Sequence, residues 1–118
     1  MGHMNAKVKE VCEILNATSC FISDLDILKE YHLLAKSVSL VGEGWVPHVI
    51  QVEGVTRVAV SFFTTLIELK NGSNVFASKF GLTVTTNGRL VALEGHTALV
   101  ISEGEKVVIV VFAPDEGD

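Results

Sequence analysis

The chain has 118 residues, of which 48% are hydrophobic and 19% charged, and its formal net charge is −5. That apolar content excludes an intrinsically disordered chain, and the length fits one domain with its own core. The acidic balance, the scattered nine basic residues and the lack of an apolar run of about 18 residues exclude nucleic acid and membranes as expected partners.

The two ends of the chain are set apart from the domain. Met1-Gly2-His3 precedes a second methionine and has the pattern of a vector remnant, so its histidine is left out of all site arguments. Residues 4–113 are predicted to form a single globular domain, and residues 114–118 an acidic tail. Met4–Asn16 alternates lysine and glutamate with apolar residues, unlike a secretory signal, which favours a cytoplasmic protein.

The N-terminal part has helical periodicity. Apolar residues recur at i, i+3, i+4 and i+7 between Asn5 and Leu15, so a helix is predicted there, with Asn16 able to end it. Ser23 followed by Asp26 resembles a capping box, and a second helix is predicted to follow it as far as Ala35. The apolar positions on these two helices are Val8, Val11, Cys12, Leu15, Ile27, Leu28, Tyr31, Leu34 and Ala35.

From Ser37 onward the pattern changes to that of strands. Ser37–Val41 and Trp45–Val52 are predicted strands, and Pro47 predicts that the second lies at a sheet edge or is bulged there, because proline has no N–H to donate. Val55–Lys70 fits a helical stripe and strand alternation equally well, so both alternatives stay open.

Glycine breaks punctuate the remainder of the chain. Asn71-Gly72 and Asn87-Gly88 are dipeptides typical of type I′ hairpin turns. The strands predicted after the first of these are Leu82–Thr86, Arg89–Leu93, Thr97–Ser102 and Lys106–Ala113. The last strand is apolar on both faces, so it must be covered on both sides.

These elements predict an α+β fold, with two N-terminal helices packed on a mainly antiparallel β-meander sheet. A small all-β barrel with N-terminal helices is the alternative. The doubly apolar final strand also predicts a homo-oligomer, because obligate interfaces resemble a core cut in half.

Few residues suggest chemistry. Asp24 and Asp26 are explained by the first turn of a helix, where negative charge is favourable. Cys12 and Cys20 give no disulfide framework, and Cys12 is expected to be a buried small hydrophobe. The histidines lack the short spacing of a zinc motif. No catalytic residue, metal site or cofactor is therefore predicted.

The best surface candidate is Trp45 with Pro47 and His48, directly after a glycine turn. Tryptophan is enriched at interface hot spots, so these three residues are the predicted partner-binding site. The competing interpretation places Trp45 in the core, as a lid over one end of the sheet.

The stretch from Ala92 to Phe112 resembles the end of a Roadblock-type domain, with successive antiparallel strands, short glycine or charged turns and a valine-rich last strand. The family order is helix, two strands, helix, three strands, which would make Val55–Lys70 the second helix. The resemblance covers the C-terminal third and contains no chemical motif. It implies a dimerising adaptor that regulates small GTPases or cytoskeletal motors.

Three hypotheses for function follow. The first is a non-enzymatic interaction or regulatory module, such as an accessory protein of a prokaryotic actin-like cytoskeleton or a small-GTPase system. The second is a small-ligand-binding or metal-binding barrel or enzyme that uses His48, His96, Cys20 and Glu94 as its polar groups. The third is single-stranded nucleic acid binding through the aromatic residues Trp45, Phe62, Phe63 and Phe76, which the acidic balance disfavours.

Overall fold

The computed structural model describes residues 6–17, 19–22, 45–61, 64–103 and 106–114. In chain order its elements are α1 (Ala6–Leu15), β1 (Ser19–Ile22), β2 (Trp45–Val52), β3 (Val55–Val60), β4 (Thr65–Leu69), β5 (Asn74–Ser78), β6 (Gly81–Thr86), β7 (Arg89–Glu94), β8 (Thr97–Glu103) and β9 (Lys106–Pro114). Within these ranges, no helix has the length and apolar character needed to cross a membrane.

The strands form two antiparallel sheets. Sheet A has the order β1-β2-β9-β8, and sheet B is the meander β3-β4-β5-β6-β7. The predicted antiparallel sheet is therefore confirmed, but it is divided in two, and both sheets have edge strands, so the barrel alternative is wrong for the described residues. The predicted helix after Ser23 and the predicted strand Ser37–Val41 lie outside the described residues.

One core fills the space between the sheets and α1. The helix contacts β7 of sheet B and β2 of sheet A, and Glu10 pairs with Arg89 at the start of β7. All four apolar helix positions predicted within α1 are buried, as the 3.6-residue period requires. The core is built from Val8, Val11, Cys12 and Leu15 of α1, Ile50, Val52, Val107, Ile109 and Val111 of sheet A, and Ile67, Leu69, Val75, Leu82, Val84 and Leu93 of sheet B.

Sheet A buries apolar side chains on both faces. Ile109 and Val111 belong to the core shared with sheet B. Val110 and Phe112, which alternate with them along β9, form a second buried cluster with Val49 and other apolar neighbours. The prediction that the final strand must be covered on both sides is confirmed.

The ambiguous segment Val55–Lys70 forms two strands, β3 and β4. Alternation decides the outcome here, because Ile67 and Leu69 both enter the core while Glu68 between them points away from it. The helix that the Roadblock-type resemblance places in this segment is not formed.

The two Asn-Gly dipeptides make different turns. Asn87 and Gly88 both have positive φ, 45° and 79°, so the predicted type I′ turn is confirmed between β6 and β7. In the β4–β5 turn only Gly72 has positive φ, and its N–H donates to the carbonyl of Leu69 at 3.0 Å. The type I′ prediction is wrong at this turn, because a loop of three residues takes a type I turn followed by a left-handed residue.

The position of Pro47 corrects a further prediction. Strand β2 is not an edge strand, since β1 and β9 flank it, and its register with β9 runs unbroken from Trp45 to Val52. The last described β1 pair joins Ile22 to His48. Pro47 therefore lies one residue beyond it, where the described part of the sheet pairs β2 on one side alone and a missing N–H is tolerated.

Candidate functional site

The residues predicted to bind a partner lie at the start of β2. Pro47 and His48 are both buried, and His48 is only 2% exposed. The side chain of Trp45 lies outside the described part of the structure. Contact between a partner and the side chains of Pro47 or His48 would require this end of β2 to open, and partner binding by the three residues stays a prediction.

His48 is one of two buried polar side chains among the described residues. Its Nδ1 lies 3.2 Å from the carbonyl oxygen of Val46. Burial lowers the pKa of His48, because a charged ring is poorly solvated there. The backbone carbonyls of Val46 and Val111 oppose that shift, and repulsion from His96 adds to it.

His96 lies on the same face of sheet A as His48. The register pairs His48 with Val111 and Val111 with Ala98, and His96 precedes Ala98 by two residues, which preserves the face. The Nδ1 of His96 lies 3.0 Å from the carbonyl oxygen of Glu94, an i−2 contact like that of His48. The Nε2 atoms of both rings are buried and have no hydrogen-bond partner.

The sequence placed His48, His96 and Cys20 in one alternative site, and the structure separates the cysteine from it. Cys20 is bonded to Cys12, with the two Cα atoms 6.3 Å apart, so the expectation of no disulfide is wrong. In the bonded state Cys20 has no thiol for nucleophilic or metal chemistry.

The disulfide follows from how α1 ends. Asn16 has a positive φ of 50°, and the N–H of Ala17 donates to the carbonyl of Cys12 at 3.1 Å. This left-handed cap reverses the chain, as the sequence predicted for Asn16. Strand β1 then returns beside the helix and brings Cys20 to Cys12, a long-range consequence that cysteine spacing alone does not reveal.

Sequence reasoning missed an exposed apolar surface on sheet B. Phe76 lies on the outer face of β5, and Phe80 lies in the β5–β6 turn with the Nζ of Lys79 5.1 Å from its ring centroid. Both phenylalanines line an open groove of about 250 Å³, here called the Phe76–Phe80 groove, whose other lining residues are Thr64, Ser78, Gly81, Leu82, Thr83, Leu93 and Glu94. Strand alternation places Phe76 outward, so the signal was present in the sequence.

A second groove of about 350 Å³ runs along β8. It meets the first at Thr64 and Ser78, and it is also lined by Ser61, Thr65, Ala77, Lys79, Ala98, Leu99 and Val100. Over the described ranges, histidine, cysteine and acidic residues form no group of three that could hold a metal ion.

Comparison with known proteins gives no relative for this chain: no family model, no curated protein and no solved structure matches it. The Roadblock-type resemblance therefore stays a prediction that rests on the C-terminal strands.

Proposed function

We propose that this chain is a non-enzymatic protein–protein interaction and regulatory module. The observation that supports this proposal is the exposure of large apolar side chains on sheet B, at 66% for Phe80, 63% for Leu90 and 41% for Phe76. Exposed apolar side chains that share one surface mark interaction sites more often than isolated ones do.

The Phe76–Phe80 groove has the composition of a binding hot spot. Two aromatic rings supply buriable area at low entropic cost, and the hydroxyl groups of Thr64, Ser78 and Thr83 can hydrogen-bond at the rim. The Nζ of Lys79 lies over the ring of Phe80 and adds a positive charge to this surface. A protein partner that inserts an apolar side chain between the two rings fits this surface.

The specific role comes from the resemblance of Ala92–Phe112 to a Roadblock-type domain. On that basis the module acts as an adaptor in a prokaryotic actin-like cytoskeletal or small-GTPase system, in the cytoplasm. A cytoplasmic location implies that Cys12 and Cys20 exist there as thiols, since reductants in that compartment keep disulfides open. Alkylation of thiols in intact cells, followed by mass spectrometry, tests the compartment independently of the partner.

Affinity capture from the native cell tests the interaction. Phe80→Ser is expected to lose the captured partner, whereas Val60→Ser, at a side chain that is 78% exposed on β3, is the matched control and is expected to retain it. Trp45→Ala tests the site predicted from sequence in the same assay. Equal capture by Phe80→Ser and the unmodified chain would remove the groove from the proposal.

A second candidate function is transition-metal binding by His48 and His96. The observation that favours it is the pair of unpartnered, buried Nε2 atoms on one face, with each Nδ1 against a backbone carbonyl. A hydrogen bond from Nδ1–H fixes the tautomer that leaves Nε2 free to ligate. Water bound to these Nε2 atoms is the competing occupant.

Titration with Co²⁺ or Zn²⁺ separates these two occupants. Binding that His96→Gln abolishes supports a metal. The chain must first be freed of Met1-Gly2-His3, whose histidine would bind weakly on its own. No metal-dependent change in absorbance or heat would leave water as the occupant and withdraw this candidate.

A further inference from the structure

The Cys12–Cys20 disulfide joins two elements that are short for independent stability. Helix α1 has 10 residues, without an acidic residue in its first turn or a basic residue in its last. Isolated helices shorter than about 12–15 residues are marginal in water, and favourable charges at the ends would have offset part of this. Strand β1 has four residues, all paired with β2. Both elements therefore depend on their contacts with the remainder of the domain.

The contacts that hold α1 on the sheets respond differently to the redox state of the surroundings. The apolar face of α1 lies in the shared core, and Glu10 pairs with Arg89. Neither burial nor ion pairing depends on redox state. The bond from Cys12 to Cys20 does, because external thiols and disulfides exchange with it. While this bond is closed, neither α1 nor β1 can move away from the other at that point.

The chain between the two cysteines keeps them close in either redox state. They are 8 positions apart in sequence, and their Cα atoms are 6.3 Å apart, inside the usual disulfide range of about 4.4–6.8 Å. The left-handed Asn16 and the hydrogen bond from the N–H of Ala17 to the carbonyl of Cys12 turn the chain back toward β1 without using either sulfur. A reduced pair is therefore expected to stay within reach of bond formation.

We propose that Cys12 and Cys20 form a redox switch that controls how firmly α1 and β1 are attached to the sheets. Cys20 is half-buried and Cys12 is buried, so an external thiolate reaches the sulfur of Cys20 first. It forms a mixed disulfide there and releases Cys12 as a thiolate, which takes a proton from water. A second external thiolate then displaces the sulfur of Cys20, which leaves two protein thiols and one small-molecule disulfide. The reverse sequence, driven by a small-molecule disulfide such as oxidised glutathione, closes the bond.

The switch acts on one part of the molecule. In the dithiol form α1 can separate from the sheets without carrying β1 with it, and each opening exposes the apolar face of the helix and the core that it covers. Strand β9 is paired with β2 and β8 and has no part in this link. The cytoplasmic location makes the dithiol the resting state, so oxidation tightens the N-terminal elements. This choice of resting state rests on the proposed function, whereas the switch itself does not.

Amide hydrogen exchange of the purified, unmodified chain tests the switch, first with the bond closed and then after reduction by excess dithiothreitol. Exchange in peptides from α1 and β1 is expected to be at least about tenfold faster in the reduced chain. In that same reduced chain these peptides are expected to exchange well before those from β9, because their opening is local. Unchanged exchange in α1 and β1, or exchange in step with β9, would overturn the proposal.

Replacing both cysteines by serine gives the matched control. The variant that combines Cys12→Ser with Cys20→Ser is expected to exchange like the reduced chain, with or without dithiothreitol. Faster exchange of this variant on addition of dithiothreitol would mean that the effect does not come from the bond, and the proposal would be withdrawn.

A second measurement needs no variant and decides the matter should the serine variant fail to fold. The unmodified chain is equilibrated with mixtures of reduced and oxidised glutathione, quenched with acid, alkylated and weighed by mass spectrometry. Both forms are expected, in a ratio that follows the mixture, and a bond that persists in reduced glutathione alone would be a permanent structural bond and not a switch. These assays need no other protein, so they succeed or fail independently of partner capture at the Phe76–Phe80 groove.

Discussion

Sheets A and B are both antiparallel, but they meet solvent differently. Strand β9 of sheet A buries successive residues on both faces from Val107 to Ala113, apart from the half-buried Val108. Strand β5 of sheet B buries Val75 and Ala77 and leaves Phe76 between them exposed. The difference shows that hydrophobic content alone does not say where a strand lies, because an apolar residue at an outward position of sheet B stays on the surface.

The buried polar groups divide in the same way. Among the described residues, His48 is the buried polar side chain of sheet A, and Ser73 is the one in the β4–β5 turn of sheet B. Neither the Nε2 of His48 nor the hydroxyl of Ser73 has a hydrogen-bond partner. Burial therefore works against stability at both of these positions.

The largest contrast is expected between two phenylalanines. Phe112→Ala removes a fully buried ring from sheet A and is expected to lower the free energy of unfolding by about 3–5 kcal/mol. Phe76→Ala removes a ring that contacts solvent and is expected to change it by less than about 1 kcal/mol, through lost contact with its cross-strand neighbours. Urea denaturation of both variants measures the difference, and equal losses would contradict the distinction between the sheets.

The second-largest contrast is expected between the stability that the two attachments of α1, one to each sheet, contribute. Replacing Cys12 and Cys20 by alanine opens the tie to sheet A and is expected to lower the free energy of unfolding by about 2–3 kcal/mol, because the unfolded chain gains freedom. Glu10→Gln breaks the ion pair with Arg89 of sheet B and should lower it by less than about 1 kcal/mol, since both groups are substantially exposed. Thermal denaturation with and without reductant checks the first value, and an unchanged melting temperature would refute it.

A smaller, opposite effect is expected at Ser73. Ser73→Ala removes the unpartnered buried hydroxyl and is expected to raise the free energy of unfolding by up to about 1 kcal/mol. Ser78→Ala is the control, because the hydroxyl of Ser78 accepts a hydrogen bond from the N–H of Phe80 at 3.1 Å and its loss should destabilise. Destabilisation by both substitutions would indicate that Ser73 has a partner in solution.

The smallest expected effect is a dependence of folding stability on pH, which arises from His48 in sheet A. The pKa of His48 in the folded protein lies below its usual value of 6.5, so the unfolded chain takes up a proton first as pH falls. Stability is therefore complete above pH 6.5 and decreases as pH falls from there toward the folded pKa. Chemical denaturation between pH 5 and 8 is expected to show this slope in the unmodified chain and a weaker slope in His48→Gln, and identical slopes would contradict the assignment to His48.

Local patterns predicted much of this fold. The 3.6-residue period of Val8, Val11, Cys12 and Leu15 identified α1, and Asn87-Gly88 identified its turn, because both signals arise from neighbours in the chain. Turn signals delimited the four strands predicted after Asn71-Gly72, which correspond to β6, β7, β8 and β9. The Asn71-Gly72 dipeptide gave a wrong turn type. The type there depends on the number of residues that the β4–β5 register leaves in the loop.

The candidate site was less accessible to sequence reasoning. Trp45, Pro47 and His48 were chosen for residue type, and only the pairing of β2 with β9 revealed that Pro47 and His48 are buried. Phe76 lies on β5 and Phe80 in the β5–β6 turn, and both line one groove only after β5 and β6 pair.

The amino-acid sequence by itself determined the helix, most strands and the apolar character of β9, because these depend on periodicity and on backbone preferences within a few residues. Tertiary structure decided the division into two sheets, the Cys12–Cys20 bond and the shared face of His48 and His96. These features join residues far apart in the chain. The packing of α1 and both sheets around one core selects among strand pairings that local sequence patterns do not distinguish.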